Sequence, residues 1–121
     1  MSPVQRVDTD DPDLDMDMGH RVLYLGVLFT GEVAEHEGEQ MVCLDVYLDG
    51  VRNGLSQMWY PDGALKLQGL VLNGAASGEF REWHPNGVLK SQKFFDDDVY
   101  SLREETVWDE QGRLVRDWHR E

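Results

Sequence analysis

The sequence lacks the residues that several common protein architectures need. Cys43 is the only cysteine among the 121 residues, so an intrachain disulfide and a cysteine-based zinc site are both excluded. No segment approaches the roughly 18 consecutive apolar residues of a membrane-spanning helix. The N-terminal residues 1–20 are acidic and lack the apolar stretch of a secretory signal. The sequence therefore predicts a cytoplasmic protein.

Basic residues are also scarce. The chain carries 11 Lys and Arg against 24 Asp and Glu, which gives a formal net charge of -13. Such a field repels DNA, RNA and anionic lipid and accelerates the encounter with basic partners. We therefore expect no binding to nucleic acid, and membrane binding is disfavoured. The acidity has two possible roles: it keeps the protein soluble, or it attracts a basic protein partner.

Helical periodicity is absent between residues 20 and 118, and a repeat takes its place. The stretch WYPDGALK at residues 59–66 returns as WHPNGVLK at residues 83–90. Six positions recur with a spacing of 24 residues, namely Gly54, Trp59, Pro61, Gly63, Leu65 and Lys66 as Gly78, Trp83, Pro85, Gly87, Leu89 and Lys90. Looser copies precede and follow these two.

Each copy has the chemistry of a β-hairpin. Pro61 and Pro85 suit the first corner of a type I turn, and Gly63 and Gly87 can take the positive φ that rejoins the strands. A single hairpin is marginal in water, whereas several side by side can share one apolar face. The sequence therefore predicts an all-β fold, an antiparallel meander of tandem β-hairpins with about seven to nine strands in a single curved, twisted sheet.

The chain divides into a tail and a repeat domain. In the first 19 residues six Asp face Arg6 alone, so residues 1–20 are predicted to be an acidic, flexible tail. Residues 21–121 form the repeat domain, with well-matched copies over about 46–95 and divergent copies at 24–45 and 96–118. Trp59 and Trp83 are expected to be buried packing residues, and an exposed aromatic binding strip is the alternative.

A search for catalytic or metal-binding groups predicts no enzyme, no metal site and no cofactor. The cluster EHEGE at residues 35–39 offers Glu and His ligands, but no second His lies at ligand spacing, and a solvated hairpin loop explains it better. His84 takes the place of Tyr60 in the other copy, which fits a strand residue beside a turn. The serines have no nucleophile-elbow context.

The repeated pattern resembles a known family. Gly, four residues, Trp, an aromatic or His, Pro, Asp or Asn, Gly, one residue, Leu and Lys is similar to the variant MORN repeat of bacterial antitoxin and immunity proteins of the YwqK type. The segment YLGVLFTG at residues 24–31 also resembles the entry of those proteins. The resemblance covers residues 24–95 well and 96–118 poorly. It implies a MORN-like hairpin sheet and a protein that neutralises a cognate toxin by binding it.

Acidic residues concentrate where the repeat pattern breaks down. The segment FFDDDVYSLREE at residues 94–105 replaces the expected turn, and a segment freed from the repeat geometry is open to shaping by a partner. We therefore expect partner binding at Asp96, Asp97, Asp98, Glu104 and Glu105, with the N-terminal Asp run as an auxiliary. A solvated loop and a disordered tail are the alternatives.

These observations lead to a non-enzymatic antitoxin or immunity protein as the first hypothesis. Its partner would be a basic cognate toxin, and a nuclease is one candidate class because an acidic inhibitor can occupy a surface meant for phosphate. The alternative is a MORN-repeat scaffold or a membrane-associated interaction protein. The sequence does not identify the toxin, the binding face or the oligomeric state.

Overall fold

The computed structural model of the chain describes residues 5–96 and 101–120. The described residues contain no helix and form thirteen strands. The strands are β1 (Arg6–Asp8), β2 (Leu14–Met16), β3 (Val22–Tyr24), β4 (Val27–Leu28), β5 (Gly31–Glu37), β6 (Gln40–Leu48), β7 (Val51–Arg52), β8 (Gly54–Trp59), β9 (Leu65–Leu72), β10 (Ala75–Trp83), β11 (Leu89–Phe95), β12 (Leu102–Trp108) and β13 (Leu114–His119).

Two-residue turns recur in three β-hairpins of the chain. Each has two successive residues with positive φ, the conformation of a type I′ turn, whose twist matches that of the strands it joins. The pairs are 24 residues apart, at Leu25-Gly26 (φ 51° and 82°), Asp49-Gly50 (49° and 83°) and Asn73-Gly74 (51° and 83°). Glycine at the second position accepts positive φ without a steric penalty, which explains why it recurs there.

Longer turns recur at the opposite ends of the strands. In each of them the first residue donates its N–H to a carbonyl four residues later, at 2.8 to 2.9 Å. The turns are Tyr60 to Ala64, His84 to Val88 and Asp109 to Arg113, with Gly63, Gly87 and Gly112 at φ 94°, 89° and 80°. The side chains of Asp62 and Asn86 cap two of them by accepting the N–H groups of Ala64 and Val88 at 3.0 Å. The predicted Pro-Asx-Gly turns are therefore present at both copies.

Ten strands form one open sheet in the order β1-β5-β6-β8-β9-β10-β11-β12-β13, with β7 beside β6. Neighbouring strands are antiparallel except β1, which pairs with β5 in parallel. The remaining strands, β2, β3 and β4, form a separate three-stranded sheet. The predicted all-β, largely antiparallel fold is confirmed, but the expectation of a single sheet is wrong because this second sheet exists.

The principal core lies where the small sheet meets the start of the large one. Its buried apolar residues are Val7, Val22, Phe29 and Val33, and the partly buried side chains of Leu14, Tyr24 and Tyr47 pack around them. Burying an apolar side chain of this size contributes roughly 1.5 to 3 kcal/mol. The hydrophobic stabilisation of the described chain is therefore concentrated at its N-terminal end.

Residues 5–20 differ from the predicted flexible tail. β1 and β2 lie in this segment, and Val7 is 4% exposed because it packs against Val33. Arg6 also pairs with Glu32 on β5 at 3.0 Å. The Asp residues alternate with apolar ones, so the segment can be acidic on one side and still contribute Val7 and Leu14 to the core.

From β8 onward the sheet is a single layer. Register pairing places one polar row on the same face of six neighbouring strands, formed by Gln57, Gln68, Arg81, Gln92, Thr106 and Asp117. A layer that nothing covers cannot bury large side chains completely. Trp59, Trp83 and Trp108 lie beside strand bulges and keep only a minor part of their surface in contact with solvent, which agrees with Trp59 and Trp83 being packing residues.

Side chains also tie neighbouring repeats together. The hydroxyl of Tyr60 donates to the carbonyl of Trp83 at 2.7 Å, and the His84 ring nitrogen Nε2 lies 2.9 Å from the carbonyl of Trp108. At the other end of the strands, Thr30 and Asn53 accept the N–H groups of Asp49 and Asn73 at 2.9 and 3.0 Å. The equivalence of Tyr60 and His84 thus has a structural basis, since both hold the next copy.

We predict that Gly69→Ala destabilises the protein by about 1 to 3 kcal/mol, because overpacking forces neighbouring atoms to move. Gly69 is buried opposite Phe80, and a Cβ atom there would lie 2.4 Å from the phenyl ring, which is held edge-to-face against Phe95. Urea unfolding followed by circular dichroism measures the change. Gly19→Ala is the matched control because its Cβ would meet nothing closer than 3.4 Å. Equal stability of the two variants would contradict the prediction.

Candidate protein-interaction site

The basic side chains of the protein are already engaged within the chain. Ten of the eleven Lys and Arg residues lie within 4 Å of a carboxylate. The eleventh, Lys66, places its ammonium 5.4 Å from the centre of the Tyr60 ring. Each such pair contributes little to stability at an exposed site. Their consequence is electrostatic, because the carboxylates that remain unpaired carry the net charge.

Two of the predicted partner-binding residues belong to these internal pairs. Asp96 contacts Arg120 and lies 3.9 Å from Arg103. Glu105 lies 2.5 Å from Arg116 and 3.7 Å from Lys93. The side chains of Asp96 and Glu105 are 17% and 12% exposed, so both carboxylates are largely covered and their charge is balanced within the chain.

The other predicted residues are placed differently. Glu104 is exposed on β12, opposite Phe94 and His119. Asp97 and Asp98 lie outside the described residues. Strand pairing brings three arginines and a lysine beside Asp96 and Glu105, and partner binding at residues 94–105 stays a prediction.

Seven carboxylates without an ion pair to Lys or Arg lie at the N-terminal end of the large sheet, whereas others, such as Asp62, Glu104 and Glu110, are scattered along the rest of the chain. We call this region the acidic edge, and it comprises Asp10, Asp11, Asp13 and Asp15 after β1 and Glu35, Glu37 and Glu39 of the β5–β6 hairpin. None of these seven makes an ion pair with Lys or Arg among the described residues.

Backbone pairing holds the two halves of the acidic edge together. Asp8 is in register with Ala34, and the N–H of Thr9 donates to the Ala34 carbonyl at 2.8 Å. The imidazole of His36 also contacts the carboxylate of Asp8. The segment that follows β1 therefore leaves the sheet beside the strand that carries Glu35 and Glu37.

Crowding of carboxylates shifts the pKa values of Asp8 and Asp10 in opposite directions. A hydrogen bond with Asp8 and the negative charge of Asp8 raise the pKa of the Asp10 carboxyl above its ordinary value. The same hydrogen bond, together with the N–H of Asp10 and the nearby His36, lowers the pKa of Asp8. An approaching cation would relieve this repulsion, which is the chemistry expected of a surface that attracts basic groups.

The repeated residues that define the sequence pattern serve turns and strands. Gly54 begins β8 at φ 142°, and Gly78 has φ 64° where β10 shifts its register. Trp59 and Trp83 lie opposite Leu65 and Leu89 at strand bulges. Pro61 and Pro85 are exposed in the longer turns. They shape the turns and strands of the sheet.

A small polar cluster surrounds the single cysteine. Ser56 donates to the carboxylate of Asp45 at 2.6 Å, and the Cys43 sulfur lies 3.4 Å from the same carboxylate. Burial and the negative charge of Asp45 raise the pKa of the Cys43 thiol to about 12. A thiol with such a high pKa is a poor nucleophile at neutral pH.

The structure also bears on two other kinds of site. Within residues 5–96 and 101–120, no three His, Cys, Asp or Glu side chains are grouped so as to hold a metal ion. In the same ranges, no helix is long and apolar enough to cross a bilayer. Glu35, His36 and Glu37 lie at the end of β5, and the hairpin turns at Gly38, with φ 62°.

Comparison with known proteins identifies one segment of the sheet. Residues 76–97 match the MORN repeat variant. The matched segment runs from β10 through the His84 to Val88 turn to the end of β11, so it coincides with one hairpin of the array. No curated protein and no solved structure shows a significant match to the chain.

A MORN repeat variant supports a role as a repeat scaffold or a protein-interaction module. The repeat supplies turns and packing positions, and the side chains between them differ from copy to copy. Sequence reasoning did not single out the acidic edge as the main site. The signal was nevertheless present, because the Asp run contains Val7 and Leu14 at positions that can join a sheet.

We predict that Cys43 reacts slowly with iodoacetamide at pH 8. A rise of about three pKa units cuts the thiolate fraction roughly a thousandfold, whereas the stronger nucleophilicity of that thiolate recovers about twentyfold. The net rate should be on the order of 30-fold to 50-fold below that of the urea-unfolded chain, measured by mass spectrometry. Equal rates in the folded and unfolded protein would show that the thiol is not suppressed.

Proposed function

We propose that this protein is a non-catalytic binding module that recognises a basic protein through its acidic edge. The basic partner is a toxin, which this protein neutralises by binding it, as the resemblance to variant MORN antitoxins implies. The observation that carries the proposal is the distribution of charge. Basic side chains are paired internally, and seven unpaired carboxylates are gathered at one end of the sheet.

Electrostatic attraction gives the acidic edge a defined role in association. A net charge of -13 steers a basic protein toward the chain, and a local concentration of carboxylates orients it during the encounter. Charges at the rim of an interface act mainly on the association rate and its salt dependence. A basic toxin that acts on nucleic acid would meet here a surface that competes with phosphate.

The acidic edge also has a rigid support. Tyr24 donates its hydroxyl to Asp11 at 3.2 Å, and Leu14 packs against the principal core. Carboxylates held on a packed segment lose less conformational entropy on binding than those on a free tail. In this proposal the N-terminal Asp residues are part of the main binding surface, whereas the sequence suggested only an auxiliary role beside residues 94–105.

A second candidate function is a repeat scaffold without a toxin partner. The match to a MORN repeat variant at residues 76–97 favours it, because the matching residues are architectural and specify no partner. The two functions differ in their dependence on charge. A scaffold that binds through the open sheet face would not respond to neutralisation of the acidic edge.

We predict that replacing Glu35, Glu37 and Glu39 with Gln slows binding to a basic partner about tenfold or more at low salt, because rim charges steer association. The partner is first captured from the native host with the tagged wild-type protein and identified by mass spectrometry. Association rates of the purified pair are then measured by stopped flow at several salt concentrations. The variant should also show a shallower salt dependence.

The matched control removes three charges elsewhere, with Asp62→Asn, Glu104→Gln and Glu110→Gln. This control has the same net charge as the test variant and should bind nearly as fast as the wild type. If the two triple variants slow binding equally, only the total charge matters and the acidic edge is not the site. If the captured partner is acidic, the proposal itself is contradicted. If expression of the partner stops cell growth and co-expression of this protein restores it, the partner is a toxin that this protein neutralises.

A further inference from the structure

The last strand of the large sheet has an unusual surface. β13 lies at the end of the sheet order and pairs only with β12 among the described residues. All six of its residues are exposed, including Leu114 at 60%, Val115 at 64% and Trp118 at 42%. Leu65 and Leu89 occupy the same repeat position as Leu114, and both are half-buried because another strand follows them.

The backbone of β13 is ready to continue the ladder. Arg120 donates its N–H to the carbonyl of Arg103 on β12 at 2.8 Å. The direction of backbone hydrogen bonds alternates along an antiparallel strand. The backbone N–H and carbonyl of Trp118 therefore also point toward β12, whereas those of Asp117 and His119 point toward the open edge. Every antiparallel neighbour in the sheet uses such groups for pairing. An exposed edge of this kind is a template for another strand.

From this edge we infer that two copies of the chain associate through β13, antiparallel about a twofold axis at Trp118, so that the sheet continues across the dimer. In this register Trp118 meets Trp118 of the second copy, and each Asp117 meets the other copy's His119. Asp117 and His119 make the new backbone hydrogen bonds. Aromatic pairs are favourable cross-strand neighbours, and an imidazole N–H can donate a hydrogen bond to a carboxylate opposite it.

The charge distribution favours a second copy at this edge. Residues 113–120 carry Arg113, Arg116 and Arg120 against Asp117, so β13 is a local exception in a chain of charge -13. Two copies therefore repel each other least here. Arg116 and Arg120 face each other across the proposed pair, but Glu105 and Asp96 already neutralise them.

The opposite end of the sheet does not offer an equivalent edge. β1 has three residues, its Val7 is buried beneath the small sheet, and the acidic edge follows it. Short and charged edge strands are the usual protection against strand addition. Growth into a filament by pairing β13 with β1 is thus disfavoured, and a closed pair is the expected assembly.

Sedimentation velocity of the whole protein between about 5 and 200 μM tests the inference, because a single pair of strands buries little area and should give a dissociation constant in the micromolar range. The wild type should pass from monomer to dimer. Trp118→Lys should weaken the dimer more than about tenfold, since lysine on an edge strand opposes pairing. The control Val27→Lys changes another exposed apolar residue, 68% exposed, in the small sheet and should dimerise normally.

Disulfide trapping tests the register. In a Cys43→Ser background, Trp118→Cys should form a disulfide-linked dimer on mild oxidation, because directly opposite residues that are not hydrogen-bonded have Cα atoms about 4.5 Å apart. Arg116→Cys should not, since its two copies would be offset by four residues along the strand. A wild type that stays monomeric at about 200 μM, or a Trp118→Lys variant that dimerises like the wild type, would overturn the inference.

Discussion

The register of the strands depends on a few residues that hold positive φ. At Asp49-Gly50 and Asn73-Gly74 the two-residue turn leaves no freedom in how the flanking strands are aligned. A slip of one residue would move every side chain of a strand to the opposite face. The buried position of Val71 and the cross-strand contact of Gly69 with Phe80 both follow from this alignment.

Folding pairs some acidic residues of the chain with basic ones and leaves others unpaired. Antiparallel pairing brings Arg116 beside Glu105 and Arg120 beside Asp96, although the partners are 11 and 24 residues apart. The C-terminal strands become locally balanced in charge as a result. The N-terminal end, where Asp residues follow β1 and Glu residues occupy the adjoining hairpin, keeps its carboxylates unpaired.

The repeat and its turns could be predicted from the sequence because both are local. Pro61 and Gly63 specify a turn within five residues. The same residue types return 24 positions later as Pro85 and Gly87, which shows that the turn recurs. Contacts between residues far apart in the sequence could not be predicted in this way. The core position of Val7 depends on a parallel pairing with Val33 and on a small sheet that covers it.

The ion pair between Arg120 and Asp96 joins chain segments on either side of a whole hairpin, and no local pattern indicates it. The exact degree of burial of the tryptophans is likewise not indicated by any local pattern. Composition shows that Trp59 and Trp83 recur, but it does not show whether a second layer exists to cover them. In this sheet, the C-terminal half has one layer and the aromatic rings remain partly in contact with solvent.

The ties between repeats have a consequence for how such a chain can change length. Tyr60 contacts Trp83, and His84 contacts Trp108 in the same way, so each copy offers its successor the attachment that it received from its predecessor. A duplicated or deleted unit of 24 residues would therefore rejoin the array at a surface that already fits. Gene duplication can lengthen or shorten the sheet between its packed N-terminal end and β13 without redesigning either.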